Sequence, residues 1–495
     1  MNPAQLEAMT SSGLVEGHLD RAVVHYRDVP YAAPPVGSLR FVEPQPAPRW
    51  NGVRRAATPK ACAPQRTGEV PGLDTVSLVG PGWVQGDDYL TLDVWRPEVV
   101  AEPLPIILFI HGGGFLTGSK DAPVQDGSTF ARDGLVCMSI NYRLGVDGFL
   151  PIPGVPTNLG LRDMIAALHW VQENAAAFCG DPGQVTVFGV SAGGMAIADL
   201  ITSPLAAGLF HRAIIQSGHA AMTREVAIGR RVVTKLADIL GISADKAGFA
   251  KVSPEAALDA VEKVSLPSAR LDLRDDDGFE PVFGISRFIP VHGDDVLPVQ
   301  PFEALKRGVG SKIDVLIGTN AEEMNLYLVP TGAGKKIGRI TAWLALRQSV
   351  PMAWKILKAY GMGRGRKARE AFTDAFHDLV FRWPARRFAE EHRGRTHVYE
   401  FEWRSTAFDG QLGAAHAIET PFVFDNLACA TGAEGLLGET APQDVADRVH
   451  RIWTDFALTG NIPWPAFDAE TRSVHRLASD MTVSEARMAA APFLP

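Results

Sequence analysis

The hydrophobic pattern of the chain changes character near residue 105. Before that point turn formers are dense, as in Ala33-Pro34-Pro35-Val36-Gly37, and the short apolar stretches alternate with polar residues, as over 89–95. A period of two between turns marks antiparallel strands. From residue 105 the apolar stretches become continuous, first over 105–110 and again over 135–140. Such runs suit strands buried on both faces of a parallel sheet. Between Asn158 and Phe178 the spacing turns helical, with Met164, Leu168 and Val171 on one face, and Gly180-Asp181-Pro182 stops it. A strand over 184–189, a helix over 192–200 and a strand over 212–216 follow. This order predicts an α/β fold: a large, mostly parallel, doubly wound sheet with an antiparallel N-terminal edge.

Residues 220–312 and 325–395 are less regular and are read as mostly helical insertions over the active-site face of the sheet. Strands over 313–317 and 397–401 and a helix over 441–458 complete the scaffold. At about 150 residues per domain the length would suggest several domains. No internal repeat or low-complexity linker marks a boundary, so the expectation is one domain over 1–495 carrying the two insertions.

Composition narrows the function classes. Hydrophobic residues make up 46% and charged residues 21%, enough for a large core without disordered tracts. With 48 basic against 56 acidic residues the net charge is −8, so no positive field exists to hold nucleic acid. The densest basic run, Lys358, Arg364, Arg366, Lys367 and Arg369, is short and glycine-rich and reads as a solvated loop and helix start. The first twenty residues carry Glu7, Glu16 and Asp20 and no apolar core, unlike a signal peptide, so a cytoplasmic location is expected. No apolar stretch is long enough for a membrane span. Cys62, Cys137, Cys179 and Cys429 lie far apart without CxxC spacing and are expected to be free, mostly buried thiols rather than a disulfide framework or metal site.

Candidate chemistry centres on Gly189-Val190-Ser191-Ala192-Gly193, which fits G-x-S-x-G between a predicted strand and a predicted helix. Taken alone, glycines beside a serine describe an ordinary tight turn. Two further features point to catalysis. His111-Gly112-Gly113-Gly114-Phe115 follows a buried strand and offers backbone N–H groups free of side chains. With the N–H of Ala192, those of Gly113 and Gly114 would make a three-donor hole for an oxyanion, each donor worth roughly 3 kcal/mol in the transition state. The second feature is an acid and a base after the serine: Glu322 and Glu323 just past a strand, and His416 in a loop. Residue chemistry alone does not separate His416 from His377, His392, His397, His450 or His475.

Taken together, these motifs resemble the carboxylesterase type B family, which holds bacterial para-nitrobenzyl esterases and, more distantly, cholinesterases. The likeness runs through Val29-Pro30-Tyr31-Ala32, Leu39-Arg40-Phe41, Asp93-Val94-Trp95, the HGGGF stretch, Asn141-Tyr142-Arg143-Leu144-Gly145, Gly160-Leu161-Arg162-Asp163, residues 180–194 and residues 416–424. The resemblance implies an α/β-hydrolase fold, Ser191 as nucleophile, Glu323 as triad acid, His416 as base, and Gly113, Gly114 and Ala192 as oxyanion donors. Glu323 is preferred to Glu322 because the family's acid is the second of two adjacent acidic residues. Ser217 and Glu419 match positions that support the histidine loop. The implied reaction is hydrolysis of a small-molecule ester through an acyl-enzyme, which needs no metal or cofactor.

Departures from the family pattern refine the substrate. Many relatives carry glutamate before the nucleophile, where Val190 stands here, which points to uncharged carboxylic esters. Tyr89 occupies the place of a cysteine that pairs with the counterpart of Cys62 in secreted relatives. Trp83 does not match the choline-binding tryptophan in spacing and is read as loop packing. The segment 278–290 corresponds to the acyl-pocket region, where Gly284 and Ser286 suggest room beyond an acetyl group, and Phe115, Leu144, Phe283 and Phe288 are candidate pocket residues. An amidase or carbamate hydrolase would use the same triad. A non-catalytic, neuroligin-like binding protein would lack the nucleophile that this chain keeps.

Overall fold

The computed structural model describes residues 6–68, 70–280, 283 and 285–494. Its central sheet has 11 strands: β1 His18–Asp20, β2 Val23–Pro30, β3 Thr91–Pro97, β4 Leu104–Ile110, β5 Val136–Ile140, β6 Gly180–Val190, β7 Arg212–Gln216, β8 Asp314–Asn320, β9 Thr396–Phe401, β10 Ser473–Arg476 and β11 Met481–Ser484. In space the order is β11-β10-β9-β8-β7-β6-β4-β5-β3-β2-β1. The block from β5 through β4 and β6 to β10 is parallel, β1 to β3 form the expected antiparallel edge, and β11 closes the far side antiparallel. The helices of eight residues or more are α1 Leu159–Asn174, α2 Ala192–Thr202, α3 Val226–Leu240, α4 Pro254–Ser265, α5 Arg339–Leu346, α6 Ala368–His377, α7 Trp383–Glu391 and α8 Gln443–Thr459.

The continuous apolar runs are explained by two cores. Side chains alternate across a strand, so Ile106, Leu108 and Ile110 of β4 face one core with Met164, Leu168 and Val171 of α1, while Ile107 and Phe109 face the other with Val449, Trp453 and Phe456 of α8. Both faces are covered, as a parallel sheet requires. This α/β-hydrolase architecture collects the loops at the C-terminal ends of β4, β6, β8 and β9 on one edge, where open α/β sheets place their ligands. Where β5 ends, the Arg143 guanidinium forks onto buried Asp163 of α1 with bonds of 2.6 and 2.8 Å, locking that loop to the helix layer.

Two strand limits, and two short strands at the far edge, differ from the pattern-based expectation. β6 begins at Gly180, not 184, because Cys179 in the left-handed region ends the preceding helical turn and Leu104 N donates to Cys179 O, drawing the chain into the sheet at once. β8 runs to Asn320, three residues past the apolar stretch, because Gly318 to Asn320 still pair with Tyr399 to Phe401. β10 and β11 are four-residue strands of mixed polarity whose apolar signal is too thin to read. The 325–395 insertion is helical and has its own apolar cluster around Leu346, Ile356 and Phe372. The 220–312 insertion is helical only in part: between 270 and 300 the described residues carry just the two-residue strand Val291–His292. The basic run over 358–369 is a solvated turn leading into α6, with Arg366 paired to Asp374. The four cysteines are free, and among the described residues no helix is long and apolar enough to cross a membrane.

Candidate active site

Ser191 is the single residue between β6 and α2, held at φ 58° and ψ −123°. That sparsely populated backbone is tolerated only where the surroundings enforce it. The enforcement comes from close packing: a Cβ on Gly193 would lie 2.0 Å from Ile110 O, and one on Gly189 2.6 Å from the same oxygen. Glycine at both places lets the strand and helix close on β4 and lifts the serine to the sheet edge. Ser191 N donates to Gln216 O at 2.8 Å, pinning the turn to β7.

The glycine loop after β4 faces this turn. Gly113 has φ 108°, and a Cβ there would sit 1.9 Å from Thr117 O, so only glycine fits. Buried Gln65 clamps the end of the loop through Thr117 Oγ1 and the N–H and C=O of Gly118, at 2.7 to 2.9 Å. His111 packs flat on Tyr142, and burial pulls its imidazole down to about 4, so it is a neutral structural ring. Among the described residues the N–H groups of Gly113, Gly114 and Ala192 have no protein acceptor. Ala192 also opens a helix, where the aligned peptide dipoles favour negative charge.

Glu323 is fully buried three residues beyond β8, and its carboxylate meets three donors: Ser217 Oγ at 2.6 Å, its own loop's Asn320 N at 2.7 Å and His416 Nδ1 at 2.6 Å. A carboxylate has no proton to give in these contacts, so Nδ1 carries the hydrogen and Nε2 presents a lone pair. Nε2 is buried without a protein partner among the described residues. Glu322 points elsewhere: it takes the Arg404 guanidinium and Ala414 N. The other candidate histidines are bound away from the serine, for example His450 to Val423 O and His392 to Thr396 and Gly310 O. His377 accepts the N–H of Glu323 but does not reach the serine's cavity.

Glu419 ties the histidine loop to the sheet, taking Gln216 Nε2 at 3.1 Å and Asn320 Nδ2 at 2.6 Å. Burial, then the nearby charge of Glu323, raises its pKa. Phe381, on a π-helical turn over Asp378–Arg382, lies 4.8 Å from the His416 ring, and Tyr327 lies 5.7 Å from it.

Ser191, Ala192, Gly113, Gly114 and His416 all line one cavity of about 410 Å³. Its remaining wall is largely apolar, including Leu78, Val79, Met195, Leu326 and Phe381, and among the described residues no Asp, Glu, Lys or Arg contributes to it. Val190 forms part of the floor. These wall residues come from segments without a motif, and only the closeness of Leu326 and Tyr327 to Glu323 in sequence could have flagged any of them. Of the candidate pocket residues, Phe115 and Ser286 line this cavity. Three others do not. Leu144 opens on a separate cavity of about 240 Å³, Phe283 packs edge-on to Phe376 in a third, and Phe288 is wholly buried in the core. Each is an apolar side chain claimed by packing rather than by the serine's cavity. Gly284 lies outside the described residues. Trp83 is absent from the lining.

The model of the Carboxylesterase family matches residues 4–491. The chain is 34% identical to a para-nitrobenzyl esterase of Bacillus subtilis, covering 96% of this chain and 95% of that protein. It is also 34% identical to a phenmedipham hydrolase of Pseudarthrobacter oxydans, covering 94% of each. A medium-chain fatty acyl-CoA hydrolase precursor of Anas platyrhynchos is 31% identical over 94% of this chain and 88% of its own. Among solved structures, a PNB esterase superposes with a TM-score of 0.85 at 31% identity over 99% of this chain and 100% of that one. A Geobacillus stearothermophilus carboxylesterase gives 0.81 at 29% identity over 97% of each chain. With a family model spanning nearly its whole length and the α/β-hydrolase sheet in common with these esterases, the chain belongs to the carboxylesterase family and is a carboxylic ester hydrolase.

Proposed function

We propose that the chain is a serine esterase that works through an acyl-enzyme on Ser191. The observation that carries this is the convergence, on one apolar cavity, of a half-buried serine turn and, among the described residues, three unclaimed N–H groups and the unpartnered Nε2 of a histidine whose Nδ1 is held by Glu323. His416 Nε2 takes the hydroxyl proton as Ser191 Oγ bonds to the ester carbonyl carbon. Glu323 fixes the tautomer and balances the imidazolium, and the N–H groups of Gly113, Gly114 and Ala192 receive the oxyanion. The C–O bond then breaks, the alcohol leaves with the proton from His416, and water repeats the cycle on the acyl-enzyme.

A wall that holds no charged side chain among the described residues, with Val190 in its lining, suits esters that carry no charge around the scissile carbonyl. Ser191→Ala is expected to lower p-nitrophenyl butyrate turnover by at least ~10⁴-fold, and a fluorophosphonate probe is expected to label only Ser191, read by peptide mass spectrometry. Full turnover in the variant, or label on another residue, would refute the assignment. A carbamate hydrolase is the second reading, favoured by the relative named as a phenmedipham hydrolase, since phenmedipham is a carbamate. Assaying matched carbamates and anilides beside the esters separates the two.

A further inference from the structure

A second cavity, about 840 Å³, lies against the one that holds Ser191, and Met222 and Ile285 line both. Its lining includes Arg224, whose side chain is almost wholly buried, at 4% exposure. The backbone of Arg224 is held by the short parallel pairing of Arg224–Glu225 with Val291–His292, so the side chain is delivered from a fixed base. One guanidinium nitrogen, Nη2, donates to Ser286 O at 2.9 Å. The other two, Nε and Nη1, are buried with no hydrogen-bond partner among the described residues. Among the described residues no carboxylate lies within ion-pair distance: the buried Glu280 pairs with Arg287 instead, at 3.3 Å. The acidic residues of the lining sit toward solvent, with Asp277 and Glu225 exposed and Asp275 committed to Phe279 N.

A buried guanidinium with two idle donors is costly unless something anionic completes it. Burial pulls its pKa down to about 10, which still leaves it cationic at neutral pH. Its position relative to the serine site is set by one residue. Ser286 takes Arg224 through its carbonyl, and its hydroxyl lies 3.0 Å from Phe288 O and 3.3 Å from Gly114 O, so the guanidinium is one residue removed from the glycine loop.

We infer that the second cavity is a carboxylate subsite, in which Arg224 grips the distal carboxylate of an acyl chain whose ester end lies at Ser191. The preferred substrates are then half-esters of dicarboxylic acids, uncharged at the scissile bond and anionic at the far end. Nη2 keeps a second hydrogen beside its bond to Ser286 O, and with the N–H of Nε or of Nη1 it forms the parallel fork that matches a carboxylate two atoms to two. This inference rests on the serine-esterase reading.

The test compares mono-p-nitrophenyl esters of dicarboxylic acids, from succinate to suberate, with neutral p-nitrophenyl esters of the same chain length. At one length the carboxylate is expected to raise kcat/KM over its neutral partner by at least about tenfold, equivalent to about 1.4 kcal/mol. In Arg224→Met that ratio is expected to fall to one or below, and Arg224→Lys to keep part of it. A measurement on the natural chain alone guards against a variant that misfolds: adipate should compete with p-nitrophenyl butyrate at least tenfold more strongly than adipamide. Turnover of neutral esters with no carboxylate preference at any length, or a preference that survives in folded Arg224→Met, overturns the subsite and leaves the esterase reading intact. Failure to hydrolyse any ester overturns the reading beneath it.

Discussion

Replacing Glu323 by glutamine changes one atom and tests the proton path directly. The carboxylate serves two sides: Oε1 accepts from Ser217 Oγ and Asn320 N, and Oε2 accepts from His416 Nδ1. A glutamine amide has one accepting oxygen and one donating nitrogen. Placing the oxygen against the two donors of Ser217 and Asn320 leaves the NH₂ facing His416. The imidazole must then accept at Nδ1 and carry its hydrogen on Nε2, so it has no lone pair for the serine proton. The opposite rotamer sets an NH₂ against two donors in a fully buried site, which costs about 1–3 kcal/mol for each bond left unmade. The expected result for Glu323→Gln is a fall in kcat of ~10⁴, roughly 5.5 kcal/mol of barrier. Steady-state turnover of p-nitrophenyl butyrate and the rate of fluorophosphonate labelling should both report it, with circular dichroism and thermal unfolding as checks on the fold. A folded Glu323→Gln within tenfold of the natural chain would refute the geometry argued for the acid.

Two further substitutions test other parts of the reasoning. Gly113→Ala would force a Cβ to 1.9 Å from Thr117 O at φ 108°, so the loop must move; kcat for p-nitrophenyl butyrate should fall ~10²- to 10³-fold with a lowered Tm, and an unchanged kcat would exclude this loop from the oxyanion site. Asp199, buried in α2 with neither oxygen partnered, has its pKa raised well above the usual carboxylate range by burial. The folded state therefore holds this proton more tightly than the unfolded one, and the stability it contributes is complete below the unfolded pKa of about 3.9 and is lost as pH rises through the folded value. Asp199→Asn removes that dependence, so the Tm of the variant relative to the natural chain should climb between pH 4 and 7; a difference flat in pH would show that Asp199 does not titrate in this way.

The parallel sheet was legible because its strands bury both faces, which writes uninterrupted apolar runs such as 105–110, and because the helix between them keeps a strict face. The edge strands Ser473–Arg476 and Met481–Ser484 were not, since short strands at the rim of a sheet need little apolar content. At the site, the glycines were readable as steric necessities of a tight turn, but the choice between Glu322 and Glu323 was not. It depends on β8 running three residues past its apolar stretch, which turns Glu323 inward and leaves Glu322 to Arg404. Likewise His416 carries no local signal, and what distinguishes it from His450 or His392 is that the others spend ring nitrogens on groups remote from Ser191. Leu144, Phe283 and Phe288 stand outside the lining of the serine's cavity because large apolar side chains near a site are as readily taken up by the core or by a neighbouring cavity.

The electrostatics of the site follow from how few charges are buried in it. Glu323 stands in the interior beside two further histidines, His219 and His377, whose rings lie near enough to feel its charge. Burial pulls His219 down to about 4 and lowers His377, so both are neutral near neutral pH and neither competes as a cation for the carboxylate. His219 instead bonds Val380 O, at 2.8 Å, and His377 accepts the Glu323 N–H. In the proposed mechanism an imidazolium at His416 would therefore meet a carboxylate committed to hydrogen bonds but, among the described residues, to no other positive charge. Among the described residues the cavity wall adds no charge of its own, and in the proposed mechanism that low local polarity would strengthen both this pair and the pull of the backbone N–H groups on an oxyanion.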